Sequence, residues 1–309
     1  MNAAPPFAKH LASNDKKTRD KAVKALTTFL SDDAHEPIAK SDMDKLWKGI
    51  FYCFWMSDKP LVQQALATDL AELLLNISST TSALAFLQCF WETIAREWNG
   101  IDRLRIDKYY MLVRRFVNAT FRLLARAEWE KSMCDSHNDM LTRQGGPLCP
   151  TDIRVPTSLA YHVADIFLEE LDKSLASAVS EPPAAPLATL LVPFFTLAAQ
   201  TPSSTTYNRV QAEVFTPLFA ALSSTDDDAP PDLKRSRLDL DTQNRKYHVL
   251  AVNACFEQPA EGKTAGVIVK KRLLRQIFMV ASEPETRDSN RRKLYALFKE
   301  AEDDVGEEG

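Results

Sequence analysis

The chain has 309 residues, of which 45% are hydrophobic, so it is long and apolar enough to bury a sizeable core. Its formal net charge of −4 argues against a uniformly basic nucleic-acid binder, and its 8 glycines argue against glycine-rich phosphate loops. Five scattered cysteines without a CxxC pair favour buried thiols in a reducing compartment. With no secretory h-region and no apolar run of membrane-spanning length, the sequence predicts a soluble intracellular protein.

The first predicted helices show the 3.6-residue spacing of apolar side chains. Asn14 or Asp15 can cap a helix that ends near Leu30. A second helix is predicted to begin at Ser41, where Asp44 completes a variant of the capping box. Its apolar residues recur at helical spacing and predict one buried stripe, made of Met43, Leu46, Trp47, Ile50, Phe51, Phe54 and Trp55. Most aromatic residues of the stretch KLWKGIFYCFWMSDKP are therefore predicted to be core.

Helical patterns continue along almost the whole chain, and Asp58 with Pro60 is predicted to open the third helix. Further helices are predicted near residues 60–77, 81–98, 102–131, 157–176, 186–200, 205–223, 233–257, 265–281 and 284–303. The longer connections are the partly irregular segment 132–156 and the acidic, proline-rich segment 224–232. No stretch alternates as a strand does, so the pattern predicts an all-α, irregular HEAT-like α-solenoid of about ten to twelve helices.

These patterns predict four parts in chain order. They are a helical-repeat domain (1–223), an acidic proline-rich linker (224–232), C-terminal helices packed on the array (233–303) and an acidic tail (304–309).

Four segments resemble the signature blocks of the ribosomal RNA-processing protein 1 family in order and spacing. They are FAKHLASNDKKTRDKAVKALTTFL (7–30), LWKGIFYCFWMSDKPLVQQALA (46–67), WNGIDRLRIDKYYMLVRRF (98–116) and the weaker VFTPLF (214–219). Positions that match the family signature are Trp47, Lys48, Gly49, Asp58, Lys59, Trp98, Gly100, Ile101, Asp102, Arg103, Arg105, Asp107 and Lys108. The resemblance fades beyond residue 225.

The resemblance implies a non-enzymatic scaffold of the nucleus and nucleolus that assembles pre-60S particles and is required for maturation of large-subunit rRNA. It implies co-assembly with other factors, among them Brix-domain and β-propeller proteins. The basic tracts described below suggest pre-rRNA phosphate contacts, and the sequence predicts no cofactor, membrane or small-molecule substrate. Two alternatives stay open: a protein–protein adaptor that never touches RNA, and an rRNA-modifying or rRNA-cleaving enzyme, although no P-loop, GxSxG, GxGxxG or HExxH motif is present.

Residues 101–131 carry 8 Lys or Arg against 4 Asp or Glu. On a helix, several of the basic residues line up on the side opposite the apolar residues, where guanidinium groups could grip rRNA phosphates or an acidic partner. The alternative is a solvated face with ordinary ion pairs. The candidate contact residues of this helix are Arg103, Arg105, Lys108, Arg114, Arg115, Arg122 and Arg126.

A second basic tract, residues 233–300, carries 15 Lys or Arg against 8 Asp or Glu. Its helix VIVKKRLLRQIF supplies four further candidate contacts or, in the alternative, a solvated face: Lys270, Lys271, Arg272 and Arg275. The short KRSR segment fits a nuclear-import pattern and equally the first turn of a helix, with Lys234, Arg235 and Arg237 as its basic residues.

The outer side of the aromatic helix and the turn after it form a candidate partner surface, made of Lys48, Tyr52, Asp58 and Lys59. Gly49 lies on the same predicted side, where close approach of another backbone or simple tolerance would explain it. The five histidines are isolated, and neither a metal site nor a catalytic pair is predicted.

Overall fold

The computed structural model describes residues 7–32, 38–178, 181–223 and 246–306, and these residues are predominantly helical with almost no strand. The chain divides into two compact units. Unit 1 comprises Met1–Leu123, Gly145–Pro147 and Arg154–Leu159, and unit 2 comprises Leu124–Gln144, Leu148–Ile153 and Ala160–Gly309. The predicted all-α class is therefore confirmed. No helix of the described segments is long and apolar enough to cross a membrane.

Unit 1 is built from helices that pack against their neighbours in sequence. They are α1 (Phe7–Leu11), α2 (Lys16–Leu30), α3 (Lys40–Trp55), α4 (Pro60–Asn76), α5 (Thr80–Glu97) and most of α6 (Ile106–Arg126). Helix α3 contacts α1, α4 and α5, while α2 and α5 both contact α4. Contacts between nearest and next-nearest helices are the packing order of a helical-repeat array.

Unit 2 contains the remaining helices and one minimal pair of strands. The helices are α7 (Lys131–Thr142), most of α8 (Thr157–Ala176), α9 (Leu187–Leu190), α10 (Val192–Gln200), α11 (Ser204–Val210), α12 (Thr216–Ser223), α13 (His248–Val252), α14 (Gly266–Ser282) and α15 (Asp288–Gly306). Strand β1 (Ala185–Pro186) pairs in parallel with β2 (Ala254–Cys255). A π-helical turn, Gln211–Phe215, joins α11 to α12.

The helix ends correct several predictions. Asp15 caps α2 as predicted, its side chain accepting a hydrogen bond from the Thr18 backbone N–H at 2.8 Å. The predicted capping box is wrong, because α3 begins at Lys40 and Asp44 instead accepts a hydrogen bond from the Lys40 ammonium group. Asp58 is not the cap of α4, whose N-cap residue is Lys59.

Three predicted helical segments differ from the structure. The helix over 102–131 covers only Ile106–Arg126, and the segment predicted to be partly irregular contains α7. The helix over 186–200 is broken at Leu191, so Pro193 lies in the first turn of a new helix, where its missing N–H costs nothing. Within the described part of 233–257, only His248–Val252 is helical.

The predicted linker 224–232 lies outside the described residues.

The aromatic residues of α3 form the core of unit 1, as predicted. Trp47 is buried, its indole N–H donates to the Phe86 carbonyl at 3.0 Å, and its ring lies within 5.6 Å of the Phe86, Phe90 and Phe116 rings. Gly49, on the side predicted to face outward, is buried as well, and Cys53 is buried as predicted. Helix α3 is therefore covered on more than one side, while Trp55 at its end is only half-buried.

A candidate partner-binding surface in unit 1

Two short segments of unit 1 are held together and are called here the paired turns. They are residues 56–61, which comprise the turn after α3 and the first two residues of α4, and residues 101–105 before α6. The link is Lys108, whose Nζ donates hydrogen bonds to the carbonyls of Trp55 and Ser57, each at 2.7 Å. These carbonyls lie at and just after the C-terminal end of α3, where no further helical N–H groups are available to pair with the last carbonyls. Lys108 therefore fixes the turn that follows α3.

The position predicted for Lys108, on the polar side of α6, is wrong. The residue is 5% exposed, and burial lowers the pKa of its ammonium group to about 8. A helical wheel cannot show this, because the chain turn that covers Lys108 comes from another part of the sequence. Lys108 is a structural residue and is not presented to a partner.

The second turn is ordered by Asp102. Its side chain accepts a hydrogen bond from the Leu104 backbone N–H at 3.0 Å and pairs with the Arg105 guanidinium group. Arg105 also lies over the Trp55 ring, with its central carbon 4.8 Å from the ring centroid. A cation over an indole face is attracted to the ring quadrupole. The predicted contact residue Arg105 is thus already engaged within the protein.

The ordered turn presents an apolar side chain to solvent. Leu104 is 92% exposed, and its neighbour Arg103 is exposed as well. On the other turn, Leu61, Asp58 and Lys59 are exposed. Leucine on a rigid turn loses little conformational freedom when a partner covers it, which favours binding. The sequence prediction missed Leu104, although its place between Arg103 and Arg105 in the block WNGIDRLRIDKYY could have identified it.

The predicted basic stripe of α6 is interrupted. Arg122 pairs with Glu72 of α4 through both guanidinium nitrogens, and Arg114 is half-buried. Arg115 and Arg126 are exposed. Because Lys108 is buried and Arg105 is engaged, the exposed arginines of α6 do not form a continuous row.

The candidate surface on α3 is exposed at each predicted position. Lys48 and Tyr52 lie on the outer side of the helix, and Asp58 and Lys59 lie on the turn after it. Two of the four therefore belong to the paired turns. Their role in binding stays a prediction.

The second predicted basic cluster is also divided. Lys270 is 5% exposed and its Nζ donates to the Ser223 hydroxyl at 2.9 Å, so its predicted surface position is wrong. Arg272 pairs with Glu261 at 2.5 Å and lies 4.1 Å from the centroid of the Phe256 ring. Lys271 and Arg275 are exposed. The predicted import residues Lys234, Arg235 and Arg237 lie outside the described residues.

One group of described side chains has metal-ligand chemistry, namely Asp44, Cys89 and Glu92. The Lys40 ammonium group pairs with Asp44 and lies 2.7 Å from Glu92 Oε2, so one protein cation already pairs with both carboxylates. Burial raises the pKa of the Cys89 thiol to about 11, which keeps it protonated at neutral pH. The group is better explained as an ion-pair cluster than as a metal site.

A family model described as "Nucleolar protein, Nop52" matches residues 2–298. Ribosomal RNA processing protein 1 homolog A of Homo sapiens is 30% identical over 97% of this chain and 70% of its own length. Homolog B of Homo sapiens is 41% identical over 54% of this chain, and the Drosophila melanogaster homolog is 33% identical over 61%. These two matches span 22% and 27% of the relatives' lengths. The chain belongs to the Nop52 family of nucleolar proteins.

Proposed function

We propose that this protein is a non-enzymatic scaffold of the nucleolus that holds assembly factors on precursors of the large ribosomal subunit during ribosomal RNA processing. The assignment to ribosomal RNA processing is supported by the family match over residues 2–298 and by relatives named as ribosomal RNA processing proteins. Large-subunit specificity is the part of the proposal that the resemblance of the signature blocks suggests. A helical-repeat array suits a scaffold because it offers extended surfaces.

The paired turns are the proposed binding surface for another assembly factor. They combine an exposed leucine, an exposed arginine and a backbone fixed by Lys108 and Asp102. Interfaces draw most of their energy from a few anchors that enter pockets on the partner. In this proposal Leu104 is that anchor, and Arg103 contributes charge beside it.

An adaptor that contacts only protein is the second candidate, and one observation favours it. The basic stripe of α6 is interrupted by the buried Lys108 and by the Arg122–Glu72 pair, so fewer cations are available for RNA phosphates than the sequence predicts. Binding of RNA phosphates gains strength with the number of charges neutralised.

The test replaces Leu104 with aspartate in the full-length protein in cells. Association with large-subunit precursors, measured by co-sedimentation, is expected to fall by about tenfold or more, because removing an interface anchor costs about 2 kcal/mol. Large-subunit rRNA precursors are expected to accumulate.

The matched control is Ile153→Asp, which makes the same kind of change at a side chain that is 99% exposed and lies in unit 2. It is expected to co-sediment like the wild type. Equal co-sedimentation of Leu104→Asp and wild type would contradict the assignment of the paired turns. Accumulation of small-subunit precursors alone, after depletion of the protein, would contradict the large-subunit role.

A further inference from the structure

Unit 2 contains a pocket of about 930 Å³ that the proposed function does not use. Three segments line it: the turn between α6 and α7, the segment before and through α9, and the turn between β2 and α14. Its lining includes four glutamates and two lysines, which are Glu128, Glu130, Glu181, Glu257, Lys131 and Lys263. This volume lies in the usual range of ligand pockets, about 300 to 1,000 Å³. It is called here the acidic pocket.

The walls of the acidic pocket are tied to one another. The indole N–H of Trp129 donates to the Pro183 carbonyl at 3.2 Å, which joins the first segment to the second. The Thr189 hydroxyl donates to the Glu257 carbonyl at 3.3 Å, and the Lys263 ammonium pairs with Glu181 at 2.5 Å. The pocket is therefore formed before any ligand arrives, which lowers the entropic cost of binding.

The turn between α6 and α7 is held in a strained conformation. Glu128 and Trp129 have φ values of 52° and 56°, in the left-handed region that is unfavourable for side chains of this size. Buried Trp129 anchors the turn, and its carbonyl accepts a weak hydrogen bond from the Cys134 thiol. The conformation leaves Glu128 exposed at the edge of the pocket.

The charges of the acidic pocket are not balanced within the protein. Lys263 is paired with Glu181, and Lys131 pairs with Asp135 at 3.3 Å, outside the lining. The side chains of Glu128 and Glu257 make no hydrogen bond or ion pair with any described residue. Between the charges lie apolar surfaces of Pro183, Ala184, Pro259 and Ala260. The pocket thus offers free carboxylates beside apolar surface.

We propose that the acidic pocket binds an extended peptide segment of a protein partner, one that carries lysine or arginine beside apolar residues. Carboxylates that lack a partner attract ammonium and guanidinium groups, and arginine can bind a carboxylate through two parallel hydrogen bonds. Apolar side chains of the segment would cover the proline and alanine surfaces. The phosphates of RNA would meet like charge here. This site does not depend on the paired turns of unit 1.

The experiment selects a random dodecapeptide library displayed on phage against the full-length protein. We expect the selected peptides to carry an excess of Lys and Arg over Asp and Glu, together with apolar residues. The best peptide, made synthetically, is then measured by fluorescence anisotropy. Its affinity is expected to fall by about tenfold or more in the double variant Glu128→Lys, Glu257→Lys, because attraction becomes repulsion at two positions.

Two further variants keep the test decisive. Glu257→Gln removes one charge and preserves the side-chain size, and it is expected to cause a smaller loss in the same direction. Glu285→Lys makes the same charge change at an exposed position outside the pocket and should leave affinity unchanged. Thermal unfolding of each variant confirms that it is folded.

Three results would overturn the proposal. The first is a selected set without any excess of Lys and Arg. The second is a basic peptide that binds the folded Glu257→Gln variant as tightly as the wild type. The third is a fluorescent single-stranded RNA whose binding to the full-length protein weakens in the double variant, since that would make the pocket an RNA site.

Discussion

The paired turns of unit 1 and the acidic pocket of unit 2 combine charge with apolar surface in opposite ways. The turns project Leu104 and Arg103 outward, whereas the pocket surrounds proline and alanine with carboxylates. In both regions, hydrogen bonds from a side chain to backbone carbonyls hold the chain segments in place: Lys108 in unit 1 and Trp129 in unit 2. The comparison shows that the same kind of hydrogen bond supports two surfaces of different chemistry.

The two units also bury different titratable groups. Lys108 in unit 1 donates to two carbonyls, whereas His137 in unit 2 is buried with no partner for its Nδ1 among the described residues. Burial lowers the pKa of Lys108 to about 8 and that of His137 to about 4. The stability of unit 1 is therefore expected to depend on pH in the alkaline range, and that of unit 2 in the acidic range.

The largest expected effect concerns Lys108→Met. The variant removes the Lys108 hydrogen bonds to the Trp55 and Ser57 carbonyls, of which Ser57 keeps a bond from the Gln63 amide. The loss is expected to destabilise the protein by about 2 kcal/mol at pH 7. The folded pKa of about 8 is below the ordinary value of 10.5, so the unfolded state binds more protons between these pH values. The advantage of the wild type is therefore expected to grow by about 2.5 kcal/mol from pH 7 to pH 10. Urea unfolding at each pH measures it.

The control is Lys48→Met, which removes an exposed lysine from α3. Its stability difference from the wild type should stay small at every pH. A constant difference between wild type and Lys108→Met from pH 7 to pH 10 would contradict the burial of Lys108.

The next effect concerns His137→Gln in unit 2. The pKa of His137 is about 4 in the folded state and 6.5 ordinarily. Between these pH values the unfolded state therefore binds a proton at this residue and the folded state does not. The wild type is expected to lose about 2 kcal/mol of stability between pH 7.5 and pH 5 that the variant does not lose. Chemical unfolding at both pH values measures this, with His10→Gln, at an exposed histidine, as the control. Equal acid losses in wild type and His137→Gln would refute it.

The smallest effect separates the exposed arginine from the paired arginine of α6. Arg122→Glu is expected to reduce stability by at most about 1 kcal/mol through loss of the Glu72 pair, and Arg115→Glu by less than about 0.5 kcal/mol. Crosslinking of precursor rRNA to the protein is expected to change by less than about twofold for Arg115→Glu, since one phosphate contact at most is lost. Loss of all RNA crosslinks in that variant would contradict this expectation and would support a continuous basic stripe on α6.

Much of the helical fold was predictable because the evidence for a helix is local. The apolar spacing of α3 identified Trp47, Ile50 and Phe54 as core, and Asp15 identified the start of α2. Helix starts that lack a side-chain capping hydrogen bond were predicted less well, as α3 and α4 show. The end of α6 was also missed, because left-handed residues other than glycine, here Glu128 and Trp129, have no clear sequence pattern.

The surfaces were only partly predictable for a related reason. A helical wheel places charged residues on the side opposite the apolar stripe, and Lys108 and Lys270 were therefore predicted to face solvent. Both are buried by segments distant in sequence, near residues 55–57 and at Ser223. The free carboxylates of the acidic pocket, Glu128 and Glu257, come from two segments that meet only in the fold.

The sequence alone determined that the described chain is helical, which side chains form the aromatic core of unit 1, and which family the blocks resemble. Those properties depend on residues a few positions apart, whose spacing decides which face can be buried. The tertiary structure alone decided which lysines are buried, which arginines are already paired, and where Leu104 and the carboxylates of the acidic pocket face solvent. Burial and pairing depend on neighbours far apart in the chain, because desolvation and charge act through space.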